Sequence, residues 1–316
     1  MDTAGQATVI CIAYNHEKWI EETLESVRMQ DYQAKELVVV DNGSTDGSAD
    51  KIRNWVNQSS GLLPIRTVFN RGVQPYCQLF NQILATVDSQ YLVDLSGDDV
   101  LYPEHLSTSI RELKADQNAG FVFSDAYILD HSGEVSSFYQ RDNAGDLLDK
   151  IELGDIYTTL IQKSYICSPT IVFNAAILRK EGGYDESLSY EDFDIMVRLA
   201  RSYPVRFSDH IGVLKRKLSN SMSAAQYRPH LSKMLPSTVK VCTKIHQMNR
   251  YPEENQALGR RVLYELKHAL WSANFEPARE LVRLGEELEL KTLEFRVYKM
   301  WAKYKWDISW LYTKIS

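Results

Sequence analysis

Five short apolar runs, four of them closed by a polar cluster, alternate with stripes of helical periodicity and constrain this chain more than any other feature. The runs are Thr8 to Ala13, Glu36 to Val40, Ile65 to Phe69, Tyr91 to Leu95 and Gly120 to Ser124. Between them Ile20, Leu24 and Val27 recur at i, i+4, i+7, as do Leu106, Ile110 and Leu113, and Ile52, Trp55 and Val56 make a shorter stripe. Short apolar runs alternating with such stripes are the pattern of a sheet with crossover helices on both faces. The pattern predicts an α/β fold, a mostly parallel sheet flanked by helices, over the first ~125 residues.

In such sheets ligands bind beyond the carboxyl ends of the strands. Those ends are Tyr14-Asn15-His16, Asp41-Asn42-Gly43-Ser44-Thr45-Asp46, Asn70-Arg71-Gly72 and Ser96-Gly97-Asp98-Asp99. Further on, Ala126 to Gln140 reads as a hairpin, Asp146 to Gln162 as helix, Thr170 to Phe173 as a strand, Tyr190 to Arg201 as helix and Val205 to Lys217 as one or two strands. After about Ser223 the signals are helical: Val241, Ile245, Met248; Val262, Leu266, Ala269; Ala278, Leu281, Val282. Asn274 to Arg279 reads as the turn of a helical hairpin, with Pro277 near the start of its second helix. Two domains are expected, 1–225 and an all-helical 226–316.

Charge divides at the same place. Residues 1–225 hold 20 basic and 32 acidic side chains, and 226–316 hold 16 and 10. An acidic sheet domain speaks against a basic groove, so no nucleic-acid partner is expected. Dinucleotide, P-loop and hydrolase readings lack their glycine motifs, and the seven histidines show no metal-ligand spacing. Cys11, Cys77, Cys167 and Cys242 are far apart, with no C-x-x-C pair, which suits a reducing compartment. The N-terminal residues have no basic flank or long apolar core, and the longest uncharged run, Gly72 to Val87, contains Gln, Asn and Pro. Neither a signal peptide nor a membrane span is expected, and the location expected is the cytoplasm.

Four clusters could carry chemistry. Asp41-Asn42-Gly43-Ser44 either caps the following helix or offers hydrogen bonds to the edge of a base. Asp98 and Asp99 would repel unless solvated in an open turn or joined by a hard divalent cation. Glu191-Asp192 either answers a helix macrodipole or supplies a general base. Lys215-Arg216-Lys217, followed by Asn220 and Ser223, is either a solvated charge run or a neutraliser of diphosphate.

Taken in order, TVICIAYNHEKWIEETLESVRMQDYQAKELVVVDNGSTDGSADKI, LVDLSGDDVLYPEHL and GGYDESLSYEDFDIMVRLA resemble the family 2 glycosyltransferases of GT-A fold, over roughly residues 7 to 223. The resemblance implies a nucleotide diphosphate sugar donor, UDP- or dTDP-linked, and inversion at the anomeric carbon. Position by position, Ala13, Tyr14 and Asn15 would line the nucleotide, Asp41 or Asn42 would meet the pyrimidine ring, and Gly72 would let the backbone approach. Asp98, with Asp99, would hold Mn²⁺ or Mg²⁺; Arg216 and Lys217 would face the diphosphate; Asp192, next to Glu191, would be the base. Three positions depart from the family pattern: Ser96 where a first Asp is usual, Asn42 where a second Asp is frequent, and Lys217 where many relatives carry His.

The Q-x-x-R-W motif of the family's processive synthases is absent, and the resemblance then implies stepwise transfer onto a lipid-linked or oligosaccharide acceptor in bacterial surface polysaccharide assembly. A binding protein that has lost transfer activity and a scaffold recruiting partners through its basic helical end are the competing readings. In the last segment Val297, Trp301, Tyr304, Ile308, Leu311 and Ile315 alternate at spacings of four and three, which predicts one helix with a continuous apolar stripe among lysines. Such a helix either docks on the protein or lets residues 291–316 lie on the inner face of the cytoplasmic membrane.

Overall fold

A computed structural model describes residues 5–163, 165–218 and 225–315. Among these, nine strands form one sheet: β1 (Ala7–Ala13), β2 (Lys35–Asp41), β3 (Ile65–Phe69), β4 (Tyr91–Ser96), β5 (Val100–Leu101), β6 (Phe121–Leu129), β7 (Val135–Ser137), β8 (Val172–Asn174) and β9 (Val205–Arg216). The helices are α1 (Ile20–Arg28), α2 (Ser48–Gln58), α3 (Tyr76–Leu84), α4 (His105–Ala115), α5 (Tyr157–Gln162), α6 (Ala175–Lys180), α7 (Asp192–Ser202), α8 (Leu235–Met248), α9 (Pro252–Trp271), α10 (Phe275–Glu287), α11 (Leu293–Tyr304) and α12 (Ser309–Ile315). The chain divides into two compact units. The first comprises Met1–Ile156, Ile166–Tyr184 and Arg198–Lys217, and the second Tyr157–Tyr165, Asp185–Val197 and Leu218–Ser316.

In the first unit every residue of β1 is buried, and Val9, Cys11 and Ala13 join Ile20, Leu24 and Val27 of α1 and Leu106 and Ile110 of α4 in one apolar cluster. Burial on both faces is why the run shows no alternation. β1 pairs in parallel with β2 and β4, and β2 with β3. The register sets Ala13 opposite Asp41, Ile12 opposite Ser96 and Asp41 opposite Phe69, so these strands end level and their polar clusters share one edge.

All five expected strands form, but the sheet is more mixed than expected. Its order is β3-β2-β1-β4-β8-β6-β9-β5, with β7 on β6. β6 and β9 are parallel, whereas β4–β8, β6–β8, β6–β7 and β5–β9 are antiparallel. The hairpin expected over 126–140 is β6–β7, whose short turn permits only antiparallel pairing. β5 lies antiparallel to the end of β9, Val100 opposite Leu214, which brings the Asp98-Asp99 turn to Arg216.

Of the helix expected over 146–162 only α5 forms. Upstream, Asp142 accepts from the amides of Ala144 and Asp146, and Asp149 from that of Gln140, so side chains take hydrogen bonds that a helix would need. α3 is not among the expected helices; it carries no charged residue, and its polar side is made by Gln78, Asn81 and Gln82, with Cys77, Phe80 and Leu84 buried.

In the second unit α8, α9 and α10 bury Val241 and Ile245, Val262 and Leu266, and Ala278 and Leu281. The hairpin turn comes earlier than expected, at Ser272 to Asn274 with Ala273 at φ +53°, and Pro277 sits in the first turn of α10. The single final helix expected from the sequence is two. Lys305 adopts the left-handed conformation (φ +54°) and ends α11, and Asp307 accepts from the Ser309 amide to start α12. The stripe from Val297 to Ile315 is therefore broken. All four cysteines are buried, and none forms a disulfide. Among the described residues no helix is long and apolar enough to cross a membrane.

Candidate active site

The edge where β1, β2 and β3 end is closed by backbone bonds from Asn42 N to Ala13 O (2.8 Å) and from Asn70 N to Asp41 O (2.9 Å). The Asn42 side-chain amide is engaged through both its nitrogen and its oxygen: Nδ2 donates to Gln74 O (3.0 Å), and Oδ1 accepts from Gln74 N (2.9 Å) and Asn70 Nδ2 (3.2 Å). It ties down the loop after β3. Asp41 is different. Its Oδ2 accepts from Ser44 N (3.2 Å), while its Oδ1 is buried without a partner. Leaving such an oxygen unpaired costs about 1–3 kcal/mol, which a ligand donor would relieve.

Gly43 has φ +74°, and a Cβ there would stand 2.5 Å from the carbonyl carbon of Gly72. A Cβ on Gly72 would meet nothing within 4 Å. Asn15 also has positive φ (+57°), which Asn tolerates; its Oδ1 accepts from Thr45 N (2.8 Å) and its backbone N–H donates to Ser44 Oγ (2.9 Å). Ala13 is buried and Tyr14 exposed.

The β4 end continues this edge. Gly97 N donates to Ile12 O (3.0 Å), and a Cβ on Gly97 would lie 2.8 Å from His16 Nδ1 and 2.9 Å from the Ala13 Cβ. The Ser96 hydroxyl donates to the Asp98 carboxylate, and His16 Nε2 lies 3.9 Å from Asp98 Oδ1. Burial lowers the His16 pKa against the opposing pull of Asp98 and Asp46.

Arg216 anchors the turn: its amide donates to Asp99 Oδ1 (3.0 Å), its Nη1 to Asp98 O (2.6 Å) and its Nη2 to Glu22 Oε2 (2.7 Å), with the guanidinium 4.9 Å from the Trp19 ring centroid. Arg216 is buried, and Lys217 is exposed. Burial, then the Asp98 charge, pushes the Asp99 carboxyl up to about 7, although Lys215 and Arg216 pull it back. Two buried carboxyls side by side are short of positive charge, and oxygen donors of this kind suit Mg²⁺ or Mn²⁺. Among the described residues no group of three or more His, Cys, Asp or Glu converges on a metal position. A cation shared between one or two carboxylates and phosphate oxygens does not require one.

One chain of contacts therefore joins Ala13, Asn15, Asp41, Asn42, Gly72, Asp98, Asp99 and Arg216. Sequence reasoning missed the packing roles of His16, Gly43 and Gly97, each adjacent to a residue it singled out. It also missed Asp94, whose carboxyl accepts from Tyr76 Oη (2.6 Å) and Tyr184 Oη (2.8 Å) and is pushed up to about 6 by burial. Asn220 and Ser223 lie outside the described residues.

Glu191 and Asp192 belong to the second unit. Asp192 opens α7, and its Oδ1 accepts from Phe193 N (2.7 Å). The segment around them is gripped by one face of α8. Ser189 N donates to Ser237 Oγ (2.9 Å), Tyr190 Oη bonds Thr238 Oγ1 (2.8 Å), and Lys240 Nζ donates to Ser187 O (3.1 Å). Lys244 Nζ joins Asp185 and Asp194, the latter at 2.8 Å. These contacts bracket Glu191-Asp192 on both sides in sequence.

Comparison with known proteins matches residues 8–181 to glycosyl transferase family 2. An uncharacterized glycosyltransferase of Rickettsia typhi is 26% identical over 227 residues, 68% of this chain and 65% of that protein, so the chain spans just under two thirds of this relative. Among solved structures, Staphylococcus aureus TarS residues 1–349 in complex with UDP-GlcNAc superposes with a TM-score of 0.68 at 16% identity, covering 95% of this chain and 88% of that one. A mannosyltransferase from Pyrobaculum calidifontis, in complex with GDP-Man and Mn²⁺, superposes at 0.60 with 19% identity, covering 95% and 84%. At these identities the structures speak for the GT-A fold alone. The family match covers more than half of the chain and spans the Asp41 and Asp98-Asp99 clusters, and on that ground the chain belongs to glycosyl transferase family 2.

Proposed function

We propose that the chain transfers one sugar from a UDP- or dTDP-linked donor to a hydroxyl of an oligosaccharide or lipid-linked acceptor, with inversion, in the building of a surface polysaccharide. The observation that carries this reading is the unpartnered buried Oδ1 of Asp41, on the same sheet edge as the carboxyls of Asp98 and Asp99. A pyrimidine ring N–H is the donor that oxygen lacks. The open space at Gly72 leaves room for the nucleotide beside it. TarS with UDP-GlcNAc and the mannosyltransferase with GDP-Man and Mn²⁺ support a nucleotide sugar as the ligand of this fold.

In this reading Asp98 and Asp99 would hold a divalent cation. When bound, it neutralises the leaving group. Arg216, with its guanidinium committed to Asp98 and Glu22, braces the turn instead of meeting ligand, and the exposed Lys217 next to it would pair with phosphate. Asp192 takes the proton as the acceptor oxygen attacks the anomeric carbon opposite the diphosphate, whose C–O bond breaks to release the nucleoside diphosphate. Glu191 shares the helix start that α8 holds.

A nucleotide-sugar panel tests this. A UDP- or dTDP-sugar should raise the melting temperature by mass action, and the protein should release nucleoside diphosphate slowly to water in Mn²⁺. Stabilisation without release, even with acceptors added, would leave a binding protein. No stabilisation by any member would remove the donor assignment.

A further inference from the structure

We propose that α11 and the turn after it form a docking surface for an anionic lipid bilayer, laid flat in the headgroup region. α11 turns Phe295 and Ala302 into the second unit and leaves Leu293, Val297, Met300 and Tyr304 exposed. At about 100° per residue these four fall within about 60° of one another, opposite the buried pair. They make a continuous apolar stripe on the solvent side. It is not the stripe read from the sequence, because the helix ends at Tyr304 and Trp301 folds back to donate from Nε1 to Trp306 O (2.6 Å). That bond presents Trp306, which stacks on Tyr304 with ring centroids 5.7 Å apart, and both rings are more than half exposed. Trp310 on α12 is exposed as well.

Charge decides the occupant. Arg296 and Lys303 border the stripe along one side, with Lys305 beside its aromatic end, and all three are exposed. Residues 291–316 hold six basic and two acidic side chains. The one acidic residue of α11, Glu294, accepts from Tyr298 Oη (2.9 Å). An apolar face with tyrosine and tryptophan at one end and a cationic border is the chemistry of an interfacial helix, with rings at the headgroup level and cations toward anionic lipid. An antiparallel two-fold self-contact would set the cationic borders of two copies on the same side, whereas the exposed cations of the border find their complement in anionic lipid. The surface is independent of the transfer reaction, so either proposal can fail without the other.

Co-sedimentation of the whole chain with vesicles tests it. Phosphatidylcholine vesicles should pellet little protein, and vesicles containing phosphatidylglycerol should pellet most of it at low salt. Arg296→Ala and Lys303→Ala should each lower partitioning by about fivefold. Met300→Glu should abolish it, with an unchanged melting temperature showing that the fold survives. Equal pelleting with both vesicle types, no response to Met300→Glu, or a dimer in lipid-free solution that Met300→Glu dissociates would each overturn the assignment, the last giving the face to a second copy.

Discussion

A Cβ added to Gly43 would stand 2.5 Å from the carbonyl carbon of Gly72, and Gly43 has a backbone conformation that only glycine adopts freely. The loops after β2 and β3 are thus fitted together at a residue without a side chain. Gly43→Ala should cost about 1–2 kcal/mol for the positive φ alone, with backbone displacement on top, and donor binding should fall with stability. Gly72→Ala separates the two effects. Its Cβ meets nothing within the protein, so the melting temperature should hold while nucleotide-sugar affinity drops. Equal affinity in Gly72→Ala would place the nucleotide elsewhere.

The level ends of β1, β2 and β4 were legible because burial leaves runs dominated by apolar residues, Asp94 of β4 apart, and a strand's polar neighbour in sequence is its neighbour in space. Asp41, Asp98 and Asp99 followed directly. What stayed hidden depended on which oxygen is already occupied. Asp41 and Asn42 are adjacent, and only coordinates show that the amide is spent on Gln74 and Asn70 while the carboxylate keeps an oxygen open. Arg216 reads as one of three surface cations, but the β5–β9 pairing buries it. The break at Lys305 was invisible because a left-handed lysine carries no local signal of the kind glycine gives.

Asp98→Ala should weaken UDP or dTDP binding when Mn²⁺ or Mg²⁺ is present and leave it unchanged in EDTA, since the lost interaction is with the cation between carboxylate and phosphate. Calorimetry under the four combinations of variant and metal decides this. If affinity is the same in all four, lysine side chains such as Lys217 neutralise the diphosphate without metal.

His105 Nδ1 and His210 Nε2 lie 3.3 Å apart, and burial lowers their pKa values to about 3 and about 4. Unfolded, both titrate near 6.5, so on acidification the unfolded chain binds protons that the folded chain refuses. This contribution to stability is complete above pH ~6.5 and is lost as pH falls toward 4, at about 1.4 kcal/mol per pH unit for each ring. His210→Gln should roughly halve the loss. Urea midpoints at pH 7, 6 and 5 measure it, and a variant with the wild-type slope would contradict the assignment.

Asp192→Asn should cut transfer ~10²-fold or more while leaving donor affinity almost unchanged, because the base acts only as the hydroxyl attacks. Single-turnover rates alongside donor titrations make the comparison. Transfer within a few fold of wild type would move the base elsewhere.

Lys244 joins Asp185 to Asp194, two carboxylates on either side of Asp192 in sequence. Burial opposes ionisation of Asp185, but bonds from Lys244 and Ser187 outweigh it and hold the carboxyl at about 2. That depressed pKa contributes stability above pH ~4 that is lost as pH falls toward 2. Lys244→Met removes the cation and leaves Asp194 buried with its charge less compensated, at up to about 3 kcal/mol. If the clamp positions the segment, kcat should fall well beyond what the remaining folded fraction explains while KM for the donor stays put. Lys244→Arg should recover most of it, because a guanidinium can bond both carboxylates. A loss of kcat that merely tracks the folded fraction would make Lys244 a stabilising contact and nothing more.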